Sequence, residues 1–220
     1  MAAPEAVSFH FDPICPWAWV TSRWAARLQE LGRLEVEWRL FSLGVANLPS
    51  DQELPLGPVG KSAPALEALV LARRVGGNLA VGQLYTEIGR AKFERGEGLE
   101  SADDLDRLWS QAGLDPSARP SRQRDPSLWT QVVEEHQLAV IRCQAFGVPT
   151  LILDGGEGPG IFGPVITEVP DDDEAVELLQ DVLRMARRSY VMELKRERLE
   201  LSPRIRAAST ASQGDSTTDR

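Results

Sequence analysis

Residues 7–43 hold the pattern that most restricts the fold of this chain. Residues 7–12 alternate β-branched or aromatic residues with polar ones, which predicts a strand. Apolar residues then recur at helical spacing. They are Val20, Trp24, Leu28 and Leu31. Gly32 ends that helix, and residues 34–43 alternate again as a second strand. This order predicts a βαβ unit with parallel strands, which places the chain in the α/β class.

A cysteine follows the first strand directly. Cys15 is succeeded by Pro16 and Trp17, and proline suits the first position of a helix. Cys15 therefore lies at or just before the helix N-terminus, where unpaired N–H groups and the helix dipole favour a thiolate, with a cysteine pKa of roughly 3.5–7.5. A reactive thiolate is the first interpretation. The alternative is a small buried hydrophobic residue.

The middle of the chain is rich in helix signals. Residues 46–60 form a loop rich in proline and glycine, and three helices are predicted at 61–75, 80–95 and 101–112. Gly76 and Gly77 end the first of them, and Ser101 has a capping-box partner three residues later. These features predict an all-helical insertion over residues 46–125, between a domain segment at 1–45 and another at 126–202.

The C-terminal part predicts a helix, a hairpin and a last helix. Asp125 and Pro126 begin a helix that runs to about residue 146, and residues 151–154 and 161–166 form the two strands of the hairpin. An acidic run at 171–174 begins the last helix. Its expected buried residues are Val176, Leu179, Leu183, Ala186, Tyr190 and Leu194. Residues 203–220 have the composition of a disordered tail.

Composition and charge exclude several functions. The formal charge of −9 argues against nucleic-acid or anionic-membrane partners, which require a basic surface. There is no run of about 18 apolar residues and no export signal, so a cytoplasmic location is expected. Two cysteines and two histidines supply neither a disulfide framework nor a metal site.

Several motifs together resemble one known family. They are Phe11-Asp12-Pro13, Cys15-Pro16-Trp17, Trp19, Thr21-Ser22-Arg23-Trp24, Phe162-Gly163-Pro164-Val165 and Glu193-Leu194-Lys195-Arg196. With the predicted elements, they resemble the DsbA-like form of the thioredoxin fold and, within it, the mycothiol-dependent nitroreductase group. This resemblance implies a thiol oxidoreductase with mycothiol as co-substrate and no tightly bound cofactor. It implies that Val148–Pro149 is a cis peptide facing the cysteine, in a loop that ends at Thr150. It also places Asn47 and Tyr85 around the substrate pocket.

Two positions depart from the family pattern. Ala18 stands where redox-active members usually carry the second cysteine of Cys-Pro-Trp-Cys, which resolves a mixed disulfide. Cys15 must then act as a monothiol whose intermediate is resolved by an outside thiol. Phe93 stands where the group has a histidine, which puts the group's substrate preference in doubt.

Three further residues have two interpretations each. Cys143 shares a helical stripe with core residues and is either a buried thiol or a resolving thiol. His136, on the same stripe, is a core histidine or a proton shuttle at a substrate site. Asp12 caps a turn or tunes Cys15, although a carboxylate there opposes a thiolate. Glu134 and Glu135 are expected on a solvated face.

The sequence thus predicts a cytoplasmic monothiol oxidoreductase that uses a small thiol and acts on nitro compounds or mixed disulfides. One alternative is a thiol transferase or isomerase of the same fold, in which the thiol never changes redox state. The other is a member that binds a ligand or a protein without catalysis, as Ala18 and Phe93 suggest. The sequence leaves a homodimer open.

Overall fold

The computed structural model describes residues 3–49, 51–99, 101–118 and 125–197. Its strands are β1 (Glu5–Phe11), β2 (Leu34–Leu40), β3 (Thr150–Leu153) and β4 (Gly160–Phe162). They form one sheet in the order β2-β1-β3-β4. β1 and β2 are parallel, and β3 is antiparallel to both β1 and β4. The predicted parallel pair and hairpin are confirmed, whereas the predicted tail lies outside the described residues.

The described part of the chain also contains six α-helices. They are α1 (Pro16–Glu30), α2 (Leu43–Ala46), α3 (Ala63–Gly89), α4 (Ala102–Gln111), α5 (Pro126–Cys143) and α6 (Asp172–Ala186). The insertion between β2 and α5 is helical, as predicted. β2 ends earlier than expected because Ser42 caps α2 by accepting a 3.1 Å hydrogen bond from the N–H of Val45. No helix of the described ranges is long and apolar enough to cross a membrane.

Helix α1 has the predicted buried face. Val20, Trp24 and Leu28 are each 3% exposed or less, and the chain turns away at Gly32, which has a φ of +65°. The indole Nε1 of Trp24 donates to the carbonyl of Ala175 at 3.0 Å. This bond joins α1 to α6, and it holds in place the helix that carries the cysteine.

Helix α3 breaks where the sequence predicted an end. Gly77 has a φ of +64°, a backbone conformation that residues other than glycine rarely adopt. The helix resumes at once and continues into a π-helical turn, Arg90–Glu94. The two predicted helices are therefore confirmed as two helical segments of α3, joined directly at the non-helical Gly76 and Gly77.

The outer edge of β2 is covered by side chains. Asn78 accepts a 2.8 Å hydrogen bond from the N–H of Trp38 and donates one of 2.8 Å to the carbonyl of Val36. Unpaired groups on an edge strand invite another strand to pair. Asn78 removes that opportunity from the middle of β2.

A buried ion pair covers the next part of the β2 edge. Arg73 donates to the carbonyl of Trp38 at 2.6 Å, and Glu135 accepts from the N–H of Leu40 at 2.8 Å. The Arg73 and Glu135 side chains approach to 3.2 Å. The prediction that Glu135 belongs to a solvated face is wrong, since only 4% of it is exposed. Only its neighbour Glu134 is exposed.

Two buried faces differ from prediction. In α5 the sequence predicts a buried stripe of Trp129, Val133, His136, Val140 and Cys143. Trp129 and His136 are buried, but Val132 and Ala139 accompany them in the core and the other three are only partly buried. In α6 the helix ends at Ala186 and buries Ala175, Leu179 and Val182. Burial of Tyr190 and Leu194 was predicted wrongly. They are 74% and 82% exposed, because they follow the helix and do not extend its stripe.

Candidate active site

Cys15 is the N-cap residue of α1, as predicted. Its backbone is extended, with φ −82° and ψ 115°, and Pro16 begins the helix. Its N–H donates to the carbonyl of Asp12 at 3.0 Å, and its carbonyl accepts from the N–H of Trp19 at 3.0 Å. The sulfur lies 3.8 Å from the carbonyl oxygen of Val148, and 7% of the residue is exposed. The thiol therefore sits between the helix start and the loop before β3.

The pKa of this thiol is higher than that of an ordinary cysteine. Burial raises the pKa of Cys15, and the negative charge of Asp12 raises it further. The N–H groups of Ala18 and Trp17 lower the pKa, but burial outweighs them. The prediction of a lowered pKa is wrong, because it counted the helix N-terminus and omitted the cost of removing a thiolate from water.

The loop that faces Cys15 has the predicted cis peptide at Val148–Pro149. The Thr150 hydroxyl donates to the carbonyl of Gly147 at 2.8 Å, and the carbonyl of Pro149 accepts from the N–H of Gly163 at 2.8 Å. Thr150 is buried and supports the loop from within. A second cis peptide joins Gly163 to Pro164, which the sequence did not predict.

Asp12 holds three segments together beneath the cysteine. Its Oδ1 accepts from the N–H of Ile14 at 3.0 Å, and its Oδ2 accepts from the N–H of Leu43 at 2.9 Å and the hydroxyl of Ser62 at 2.8 Å. The side chain is fully buried, and burial raises its pKa while the three donors lower it. Asp12 is thus more than a turn cap, since it ties the turn before Cys15 to α2 and to the start of α3.

The residues after Cys15 differ in accessibility. Trp17 is half-buried at the edge of the core, so part of its indole is available to a ligand. Ala18 is fully buried. The position of the missing second cysteine therefore faces the core of the protein.

Cys143 lies away from Cys15. Its thiol donates to the carbonyl of Ala139 at 3.3 Å, and a Cβ placed on Gly160 would come within 2.7 Å of its sulfur. Gly160 pairs with Ile152, which is four residues beyond Val148 and so about 13 Å along an extended chain. The structure does not bring the two sulfur atoms together, and both thiols are free.

A cavity of about 330 Å³ lies beside the cis-proline loop. His136 lines it, together with Phe146 at the entrance to the loop and Leu48 from the segment after α2. His136 is 3% exposed, its Nδ1 has no hydrogen-bond partner among the described residues, and its ring packs 4.2 Å from that of Phe41. Burial lowers the pKa of His136 to about 4, so the imidazole is neutral at pH 7. Asn47 is exposed next to the lining residues.

Tyr85 and Phe93 belong to a cluster of aromatic side chains that includes Phe11 and Trp19. The Tyr85 ring stacks on Phe11 at 3.8 Å and meets Trp19 edge-on at 5.8 Å, whereas Phe93 stacks on Trp19 at 6.1 Å. Tyr85 is fully buried, and its burial raises its pKa. The predicted contact of Tyr85 with substrate does not fit this placement.

Two residues at this end of the sheet were missed from the sequence. Phe146 and Phe162 pack against each other with ring centroids 4.6 Å apart, and they are 72% and 39% exposed. Phe146 precedes the cis-proline loop in the chain, and Phe162 follows it. The sequence does show two aromatic residues close to the predicted cis-proline loop. It does not show that they are exposed, which is the property that marks them.

The chain is similar to several known proteins. The family model described as the mycothiol-dependent nitroreductase Rv2466c matches residues 14–196. The chain belongs to the Rv2466c-like family. The curated protein Rv2286c of Mycobacterium tuberculosis, described as uncharacterized, is 32% identical over 193 residues, which cover 86% of this chain and 81% of Rv2286c.

Solved structures confirm the DsbA-like thioredoxin fold of this Rv2466c-like chain. The cytosolic disulfide reductase DsbM from Pseudomonas aeruginosa matches with a TM-score of 0.56 and 22% identity, over 82% of this chain and all of DsbM. A 2-hydroxychromene-2-carboxylate isomerase matches with a TM-score of 0.57 and 17% identity, over 83% of this chain and 96% of the isomerase. At these sequence identities, the similarity to the solved structures shows a shared fold only.

Proposed function

We propose that this Rv2466c-like protein is a monothiol oxidoreductase in which Cys15 exchanges disulfides with mycothiol. The observation that carries the proposal is the position of the Cys15 sulfur, 3.8 Å from the carbonyl of Val148, together with the buried alanine at position 18. One sulfur faces the loop, and no second sulfur follows it on α1. We place the reaction in the cytoplasm, where small thiols keep cysteines reduced.

The cycle requires two thiol–disulfide exchanges. In the first, the Cys15 sulfur attacks the mycothiol sulfur of a mixed disulfide, its proton passes to solvent, and the other sulfur leaves as a thiolate. In the second, a free mycothiol attacks that same mycothiol sulfur. This step releases oxidised mycothiol and returns Cys15 as a thiol. The external mycothiol thus does the work of a second cysteine.

A nitro compound is the second substrate class in this proposal. Two mycothiols reduce one nitro group to a nitroso group with loss of water, and they leave as oxidised mycothiol. The half-exposed Trp17 indole and the cis-proline loop give a flat nitroarene an apolar surface beside the sulfur. We place His136 at the substrate site as well, since it lines the adjoining cavity with a neutral imidazole.

One observation favours a second candidate function. Burial raises the pKa of Cys15 in the free protein, which suits a member that holds a ligand or activates a bound small thiol without changing its own redox state. Turnover without accumulation of oxidised thiol would favour such a thiol transferase or isomerase.

The proposal is tested by intact-mass measurement after exposure to oxidised mycothiol and, separately, to oxidised glutathione. We expect a mycothiol adduct that the Cys15→Ser variant lacks and the Cys143→Ser variant keeps. Reduction of a nitroarene by mycothiol should likewise require Cys15. An adduct on Cys143 alone, or equal nitro reduction by the Cys15→Ser variant, contradicts the proposal.

A further inference from the structure

A second cavity lies against the C-terminal half of α1. Its volume is about 500 Å³, which is in the range of small-molecule sites. Residues of α1, β2, α3 and the end of α4 line it. Those that matter for binding are Arg23, Trp38, Gly82, Gln83, Arg90 and Gln111.

Arg23 brings to this cavity a positive charge that Glu30 and Glu94 stabilise only from a distance. Its Nε donates to the hydroxyl of Ser22 at 3.2 Å, and its Nη1 donates to the hydroxyl of Thr86 at 3.1 Å. No carboxylate of the described residues lies within ion-pair distance of it, whereas Arg90 is paired with Glu87 at 2.9 Å. A half-buried guanidinium normally has an anionic partner, because losing water around a charge is costly.

The Arg23 guanidinium is also held in a fixed orientation. It lies 4.2 Å from the centre of the Trp19 ring, in a cation–π contact, and Phe93 stacks on that ring at 6.1 Å. Its two hydrogen bonds use one N–H on Nε and one on Nη1. Three N–H groups, one on Nη1 and two on Nη2, have no acceptor among the described residues. A pair of N–H groups on adjacent nitrogens matches the two oxygens of a carboxylate.

Uncharged side chains form another part of the cavity wall. The Trp38 indole lines it, and Gly82 passes so close that an added Cβ would lie 2.7 Å from Trp38 Nε1. Only 5% of Trp38 is exposed, so Trp38 closes the cavity wall here. The amide side chains of Gln83 and Gln111 supply neutral hydrogen-bonding groups at the wall.

From these features we infer that the cavity binds a small organic carboxylate, whose anion pairs with Arg23. The site is separate from the thiol, since Arg23 follows Cys15 by eight residues, about 12 Å along the helix. The inference does not depend on the proposed redox reaction.

The test is a calorimetric titration of the full chain with benzoate, with benzyl alcohol as the uncharged analogue. We expect saturable benzoate binding that weakens at least about tenfold in Arg23→Gln, because a charge-assisted pair of hydrogen bonds is lost. Arg27→Gln is the matched control, since Arg27 is an exposed arginine on the same helix, paired with Asp172 at 2.7 Å. Benzyl alcohol should bind more weakly than benzoate.

Two further variants keep the inference falsifiable. Arg23→Lys keeps the charge and loses the paired N–H groups, so it should bind benzoate more weakly than the wild type even if Arg23→Gln fails to fold. Cys15→Ser should bind benzoate as the wild type does. Absence of saturable binding, equal binding by Arg23→Lys, or loss of binding in Cys15→Ser overturns the inference.

Discussion

The sulfur of Cys15 lies 3.8 Å from the carbonyl oxygen of Val148, the residue that begins the cis peptide. A carbonyl oxygen has no proton to give, so the thiol is the donor in this contact. Ionising the thiol would set a negative charge against the negative end of the carbonyl dipole. The contact therefore favours the neutral thiol in the free protein, and a substrate that displaces the carbonyl also removes this cost.

The pH dependence of Cys15 alkylation tests that relationship. Because burial raises the pKa of the thiol, the thiolate fraction increases only on the alkaline side of the ordinary range. We expect the iodoacetamide rate to keep rising above about pH 8.5, the usual cysteine pKa. The measurement uses Cys143→Ser, which leaves Cys15 as the only thiol of the chain. A plateau below about pH 7.5 would mean that the helix N-terminus outweighs burial.

Restoring a second cysteine should change the chemistry of the site. Ala18 is one helical turn beyond Cys15, and its N–H already lies near the Cys15 sulfur, where it lowers the pKa of the thiol. We expect the Ala18→Cys variant to form an internal disulfide on oxidation, so that the mycothiol adduct of Cys15 no longer accumulates. Intact-mass measurement distinguishes the two products.

Ala18→Ser is the matched control for this variant. It adds a group of similar size to the same fully buried position but cannot form a disulfide. The mycothiol adduct should persist in it. Persistence of the adduct in Ala18→Cys as well would show that the two sulfur atoms do not meet.

Local patterns predicted the parts of this fold that depend on neighbours in sequence. The helix start at Cys15 and Pro16 and the break at Gly76 and Gly77 follow from backbone preferences, and both are confirmed. Resemblance to a family, in contrast, was needed to predict the cis peptide at Val148–Pro149. Proline alone carries only a weak preference for that geometry.

The errors arise where distant segments meet. The charged stretch around Glu135 predicts a surface residue. Glu135 is instead buried against the edge of β2, where it binds the N–H of Leu40, 95 positions earlier in the sequence. The rise in the pKa of Cys15 has the same origin, because the loop that buries the sulfur comes 133 positions later. Neither contact can be derived from helix or strand periodicity.

The buried pair of Arg73 and Glu135 gives a stability prediction. Glu135→Ala removes the acceptor for the N–H of Leu40 and leaves Arg73 without its anionic partner. We expect the free energy of unfolding to fall by about 3–5 kcal/mol, as for other buried pairs broken on one side. Urea denaturation followed by circular dichroism measures this change.

Glu134→Ala is the control for that measurement, because Glu134 is the adjacent acidic residue and is exposed. It should change stability by no more than about 0.5 kcal/mol. Equal effects of the two substitutions would mean that the cover over the β2 edge contributes little to stability.

Asp12 combines a structural and an electrostatic effect on the thiol. Asp12→Asn keeps the size of the side chain but turns a donor group toward the N–H of Leu43 or the hydroxyl of Ser62, so we expect a loss of about 1–3 kcal/mol in stability. The same change removes a negative charge that raises the pKa of Cys15. The alkylation profile should therefore move to lower pH.

Asp115→Asn separates these effects from those of a local turn. The Asp115 carboxylate accepts from the N–H two residues later, as Asp12 does from Ile14, but it is exposed and makes no long-range bond to any other described residue. We expect Asp115→Asn to lower the stability less than Asp12→Asn does. It should leave the alkylation profile of Cys15 unchanged. If Asp12→Asn leaves the profile unmoved while lowering stability, then Asp12 supports the site without tuning its thiol.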